Sequence, residues 1–250
     1  MILKDFFLYE TQLPEESGFE LFGIGHLVWI FCIALFSCIT GRWYKKQKER
    51  TQKKINHIMG VVFPVIAIYR DMVLVLTGHF DTGYLPLHLC GMALWIAVMY
   101  CFTENRFLGV VYVLLCIPGA IGALLFPDWN VYPFWNYMNI HDFISHGLIV
   151  TFGFWLVASR QIVPKWRDFW MPVLFGIIGI VILKPVNGVL HTNYWFLNSP
   201  SAGSPLVWIL KVTGERWYLA GYFLFCLVIV AVWKGILSLY VHVSWNDNGL

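Results

Sequence analysis

Apolar residues run through this chain in blocks of about twenty, separated by short polar or turn-forming segments. A block of that length matches the roughly 20 residues an α-helix needs to cross the hydrocarbon core of a bilayer. Seven such blocks are legible, at approximately 20–40, 56–77, 85–102, 107–126, 138–158, 167–187 and 215–240. The pattern predicts an all-α, polytopic membrane protein: seven transmembrane helices in a single domain over 1–250. Between the fourth and fifth blocks, Pro127-Asp128-Trp129-Asn130 and Tyr132-Pro133-Phe134-Trp135 predict an interfacial loop. The longest connection, about 188–214, carries the turn formers Asn198-Ser199-Pro200-Ser201-Ala202-Gly203-Ser204-Pro205. A connection of that length more often lines or covers a site than a short one does. Seven spans do not divide into two inverted halves, which argues against a repeat-built transporter.

Charge orients the blocks. Arg42, Lys45, Lys46, Lys48, Arg50, Lys53 and Lys54 crowd one connection, and alternating spans put Arg106, Arg160, Lys165 and Arg167 on the same side. The other side holds Lys4, Lys211 and Arg216. Cytoplasmic loops carry the excess of Lys and Arg, so the N-terminus is expected outside and the C-terminus inside. Residues 1–19, with Asp5, Glu10, Glu15 and Glu16, then form an extracytoplasmic segment without the pattern of a cleavable signal peptide. The 188–214 connection is extracytoplasmic too.

Composition agrees with that picture. Only 12% of the residues are charged and 59% are hydrophobic, against about 25% charged in a soluble domain. Membrane lipids are therefore the expected solvent. The basic stretch has only Trp43 and Tyr44 beside it, too few aromatic groups to read it as a nucleic-acid surface. Cys32, Cys38, Cys90, Cys101, Cys116 and Cys226 all fall in apolar segments with no CxxC pair, which disfavours a disulfide framework or a zinc site. His141, Asp142 and His146 do not align on one helix face, and there is no GxSxG, HExxH or P-loop. Neither a metal nor a cofactor is expected.

Depth supplies the candidate chemistry. His26 lies about six residues into the first block, roughly 9 Å at the helical rise. His88 and Cys90 open the third block, Arg70 and Asp71 stand near the outer end of the second, His146 lies in the outer half of the fifth, and Lys184 and Asn187 close the sixth. The inner half reads as almost entirely apolar. Each residue alone has a plain explanation: an interfacial histidine, a snorkelling lysine, a packing cysteine. Together they suggest a polar pocket opening outward, because ionisable groups inside a membrane cost about 2.5–3.5 kcal/mol each at the helix centre. Arg70 and Asp71 project about 100° apart on a helix and are expected to engage different partners. Cys90 is a candidate nucleophile if a base stands near it. His88, two residues away, points about 200° round the helix, so His146 is the preferred base. Arg70 or Lys184 would hold an oxyanion or phosphate, and His26 or His88 would orient or protonate a leaving group.

Leu85-Pro86-Leu87-His88-Leu89-Cys90, His26-Leu27, Ser145-His146-Gly147, and Asn187 followed by His191-Thr192-Asn193-Tyr194 together resemble the bacterial YwaF-like family of integral membrane proteins. That family is similar to eukaryotic membrane acyltransferases that remodel ether phospholipids. The resemblance implies a bacterial cell membrane, a phospholipid substrate, and the cysteine and histidine roles on Cys90 and His146. Two departures stand out: Gly91 where a small polar residue is expected, and Gly214-Glu215-Arg216-Trp217-Tyr218 without the proline expected before the last span. The reading is a thiol-dependent phospholipid acyltransferase or lipid hydrolase with catalytic Cys90, His146 and His88. His26, Arg70, Asp71, Lys184, Asn187, Asn193 and Tyr194 are its expected substrate-binding residues, the last three lining the mouth of the pocket. The alternative is a non-catalytic binder or transporter of a lipid or small anionic ligand; the apolar inner half speaks against a through-channel.

Overall fold

A computed structural model of the chain describes residues 5–14 and 16–246. Lys4 and Glu15, two of the charges weighed above, lie outside the described residues. The helices are α1 (Ile24–Lys45), α2 (Glu49–Thr77), α3 (Leu89–Thr103), α4 (Arg106–Val111), α5 (Ile117–Leu125), α6 (Tyr137–Ala158), α7 (Trp170–Leu190) and α8 (Pro205–Asn246). No strand occurs among the described residues. A π-helical turn, Tyr112–Cys116, joins α4 to α5. Pro118 explains it: the ring has no N–H to offer and would collide with the carbonyl of Leu114 four residues back, and the wider turn relieves both.

Counting α4 through α5 as one, 6 helices are long and apolar enough to cross a membrane. α3 is apolar but has only 15 residues, a rise of about 22 Å against a hydrocarbon core of about 30 Å. The block expected from 85 loses its first four residues because Pro86 holds Leu85 in extended geometry, ψ 147°. His88 then caps the helix at φ −65°, ψ 151°. The basic stretch, expected as a loop, is nearly all helical, with only residues 46–48 between α1 and α2. Lys, Arg, Gln and Glu lose little side-chain freedom in a helix, so both helices continue past their apolar blocks. In the 188–214 connection the irregular part shrinks to 191–204. Residues 205–213 are helical, and Gly214 at φ 70°, ψ 169° breaks α8. That backbone geometry is closed to side chains with a Cβ. It lets 205–213 fold against the main helix, where Leu206, Ile209 and Tyr218 form a small buried cluster.

Burial sorts the helices. The apolar windows of Arg106–Leu125 and Tyr137–Ala158 are 61% and 67% buried, against 17–22% for the other four long helices. The α4–α5 helix and α6 therefore form the centre, packed around Tyr112 and Phe152, while Phe31, Val61, Val181 and Leu239 turn outward from the periphery. In a bilayer that outward apolar surface faces lipid. α8 is pinned to the centre by the Trp233 indole N–H, which donates to the Val113 carbonyl of the π turn at 2.8 Å.

The end of the bundle at the α1–α2 junction, expected to be the inner half, is more polar than the sequence suggested. Tyr44 donates to Asn56 Oδ1 at 2.6 Å, and Gln161 Nε2 donates to Tyr44 Oη at 2.7 Å. Asn56 Nδ2 donates to Gln161 Oε1 at 2.9 Å. Lys234 is buried beside Ser238, its ammonium 4.9 Å from the Trp166 ring centre. Hydroxyls and amides are easy to overlook when only ionisable residues are weighed. At the opposite end the N-terminal segment is laced onto the loops. Asn136 Nδ2 donates to the carbonyls of Asp5 (2.8 Å) and Leu8 (2.9 Å), and Tyr84 donates to Tyr9 Oη at 2.6 Å.

Candidate functional site

His146 sits on the buried face of central α6, only 4% exposed. One turn earlier, the Asp142 carbonyl lies 2.7 Å from His146 Nδ1. A carbonyl oxygen only accepts, so Nδ1 carries the proton and Nε2 is left with its lone pair free. The Cys90 side chain lies close enough to His146 to act on it directly. With Nδ1 committed to Asp142, Nε2 is the nitrogen left for the thiol. The ring is clamped from the side by Trp129, stacked at 4.8 Å and 23°. Trp129 belongs to the loop between α5 and α6, and its buried indole N–H has no partner among the described residues. Asp142 and Asp128 are near enough to His146 for their charges to act on it. Asp128 keeps an edge in solvent. Crowding by the surrounding protein still pushes its carboxyl above the usual range, and Asp142 pushes the same way, while His146 opposes.

Cys90 occupies the first turn of α3. The first hydrogen bond of that helix is Met92 N–H to His88 O at 2.9 Å. The N–H groups of Leu89, Cys90 and Gly91 precede it and have no acceptor within the helix. They form a ready set of donors beside the sulfur. Gly91 has a packing reason: a Cβ there would meet Pro86 Cα at 3.0 Å and its carbonyl carbon at 3.2 Å. Backbone cannot yield as a side-chain tip can, so the Pro86 crossing over this turn explains the glycine found where a polar residue was expected.

The other candidates are placed differently. His88 packs edge-on against Tyr194 at 5.1 Å and against Phe196 at 5.7 Å. Arg70 and Asp71 are bonded to each other, Nε and Nη2 to Oδ1 at 2.9 and 2.7 Å, and Nη2 also donates to the Tyr84 carbonyl at 2.7 Å. The expectation of separate partners fails because the long arginine stem lets the guanidinium fold back on its neighbour. Lys184 is exposed, and its Nζ donates to the Leu197 carbonyl at 3.1 Å and to Asn198 Oδ1 at 2.8 Å. Asn187 is 1% exposed and spends its amide on the chain, Nδ2 to Tyr194 O at 3.0 Å and Oδ1 from Tyr194 N at 2.7 Å. Asn193 braces Asn198 and Ser199, and the Tyr194 hydroxyl donates to the Thr82 carbonyl. Lys184, Asn187, Asn193 and Tyr194 thus hold the 191–199 loop in shape.

His26 is likewise a clamp. Nδ1 accepts from the Phe22 N–H at 2.9 Å, and Nε2 donates to the Leu124 carbonyl at 2.7 Å, joining α1 to the end of α5. The ring is 1% exposed. His26→Ala is expected to lower unfolding stability by about 2–4 kcal/mol, from two buried groups left unpaired and the space vacated. Thermal unfolding in lipid nanodiscs measures it, and an unchanged midpoint would remove His26 from the scaffold.

Two contributors escaped the sequence reading. Asp142 stands four residues before His146, the spacing at which its carbonyl meets that side chain, but attention to His141 hid it. Trp129 lay inside a segment read only as an interfacial loop. No curated protein and no solved structure matches this chain. The model for the TMEM164 family matches residues 21–234, a stretch that takes in the loop before α1, both halves of the Cys90–His146 pair and most of α8, and on that match the chain belongs to the TMEM164 family of transmembrane proteins.

Proposed function

We propose that the protein is a membrane-embedded, thiol-dependent phospholipid acyltransferase or lipid hydrolase, as its likeness to the YwaF-like proteins and their acyltransferase relatives implies. The observation that carries the reading is the approach of the Cys90 side chain to His146 across two helices, with the imidazole tautomer set by the Asp142 carbonyl. α3 serves as a seventh span, completed by the extended residues 85–88. Seven crossings put the basic α1–α2 junction on the cytoplasmic side of a bacterial cell membrane, the N-terminus outside and the C-terminus inside. The pair then opens toward the outer leaflet, where a phospholipid can keep its chains in the bilayer.

His146 Nε2 takes the thiol proton as Cys90 Sγ attacks the ester carbonyl carbon. The carbonyl electrons move onto oxygen, which the first-turn N–H groups of α3 receive. Collapse breaks the ester C–O bond. The departing lysolipid oxygen takes the proton from His146, leaving a thioester on Cys90. A second alcohol, or water in the hydrolase, gives its proton to Nε2 and attacks the thioester, and the thiol is restored. Trp129 and the Asp142 carbonyl keep the imidazole aligned through both halves.

A second reading, a non-catalytic binder of a lipid or anionic ligand, draws on the unpartnered Trp129 N–H beside His146. One experiment separates the two. Protein in nanodiscs is given phospholipid with an isotope-labelled chain and a lysolipid acceptor, and both lipids and protein are followed by mass spectrometry. An acyl mass on the Cys90 peptide with labelled product supports the enzyme. Retained lipid with neither adduct nor product, across several lipid classes, overturns it in favour of the binder.

A further inference from the structure

Between α7, α8 and the central helices lies a groove, partly open outward, with a cavity volume of about 70 Å³. Its walls are almost wholly apolar, and include Leu89, Gly176, Ile180, Trp195, Tyr222 and Leu227. Three observations define what fits. First, Leu89 at one end is the neighbour of Cys90, so the groove leads to the turn that carries the thiol. Second, its α7 wall runs from Pro172 to Ile180 and its α8 wall from Tyr222 to Val230, each about 12 Å along the helix axis. Third, the outer faces of these helices, Val181 at 67% and Leu224 at 62% exposure, are the apolar surface that meets lipid. An α-helix with its side chains is about 10–12 Å across, so a space of about 70 Å³ holds no partner helix. A narrow hydrocarbon chain fits, and hydrocarbon is what surrounds the opening; left empty, the walls would lose their contacts on one side.

We propose that this groove binds one acyl chain of a membrane phospholipid, with the ester end at Leu89 and the tail lying between α7 and α8. The inference deepens the enzyme reading, on which it rests for the chemistry at Cys90: the groove would choose the chain that Cys90 receives. Gly176 offers the probe. A Cβ there meets nothing within 4 Å, so a larger side chain can enter the groove without pressing on the fold.

The test uses the full chain in nanodiscs with a phospholipid bearing a diazirine in its sn-2 chain, and peptide mapping after illumination. In wild type, and equally in Cys90→Ala, the label is expected to concentrate at least fivefold on groove-facing positions such as Tyr222 and Leu227 over the outward Val181 and Leu224. Gly176→Trp should abolish that enrichment and leave outward labelling unchanged, with Gly176→Leu as the milder variant and thermal unfolding to show that both fold. Even labelling of groove and outer face in wild type overturns the proposal. So does labelling of the groove by a photoactivatable sterol but not by the phospholipid. Because the Cys90→Ala arm needs no turnover, loss of the enzyme reading would leave this result standing. Where transfer is observed, Gly176→Leu should shift product toward shorter chains.

Discussion

Cys90→Ala is expected to abolish acyl transfer and remove the acyl adduct, while His146→Gln leaves the thiol in place and slows transfer by about 10²–10⁴-fold, the usual weight of a positioned proton carrier. The two substitutions fail for different reasons, and that difference is the test. Without Cys90 no sulfur is available to form the thioester. Without His146 the sulfur remains, but its proton has no acceptor and the departing oxygen no donor. Glutamine is the informative replacement, because its amide can still donate to the Asp142 carbonyl and fill much of the space under Trp129. Alanine would lose the stack and leave the Asp142 carbonyl with the Ser145 hydroxyl as its side-chain partner. Raising the pH should restore part of the His146→Gln rate, since hydroxide ionises the thiol without help, and none of the Cys90→Ala rate. Turnover that survives Cys90→Ala would end the nucleophile assignment. A His146→Gln enzyme as fast as wild type would leave the thiol as nucleophile and end the role of the imidazole.

The membrane helices were legible in the sequence because their signal is local: an apolar block either is or is not long enough for lipid. The start of α3 was less so: the apolar block read from 85 ran through Pro86, and the helix begins only at Leu89. The Cys90–His146 meeting was half legible. Depth along two helices, together with the wrong angle at His88, left His146 as the suitable partner, but depth does not say which helices are neighbours. The centre is formed by α6 and the α4–α5 helix, and only packing reveals that. What the sequence hid were side chains whose partners depend on the path of a loop. His26 bonds a carbonyl 98 residues away. Lys184 reaches Leu197 and Asn198 only because the 191–199 segment doubles back toward α7. A polar residue at the right depth can face a site or brace a loop, and composition is the same in both cases.

Asn187 lets that distinction be measured. In the sequence it stood among the residues expected at the mouth of the pocket; in the structure it is buried and its amide is bonded to Tyr194 and Thr192. Asn187→Ala would leave the buried Tyr194 N–H without a partner and its carbonyl with only the longer bond from Leu197 N–H at 3.4 Å, so a loss of about 1–3 kcal/mol in unfolding stability is expected. Asn187→Asp should do nearly as badly, because a carboxylate keeps the acceptor for Tyr194 N–H but offers no donor to the carbonyl and brings a charge into a buried position. The consequences should spread through the loop. Tyr194 packs on His88, the residue that caps α3, and Trp195 lies against α7 close to Gly179. Loosening the segment should raise hydrogen exchange over 191–199 and at the start of α3 together. A substrate-binding asparagine would behave otherwise: the stability would hold, exchange would be unchanged, and only the lipid concentration needed for half-maximal rate would rise. If Asn187→Ala gives that second pattern, the amide meets substrate and the brace is incidental. If it gives the first, the polar residues of α7 serve to hold the roof over the groove, and chemistry is left to the two residues that α3 and α6 bring face to face.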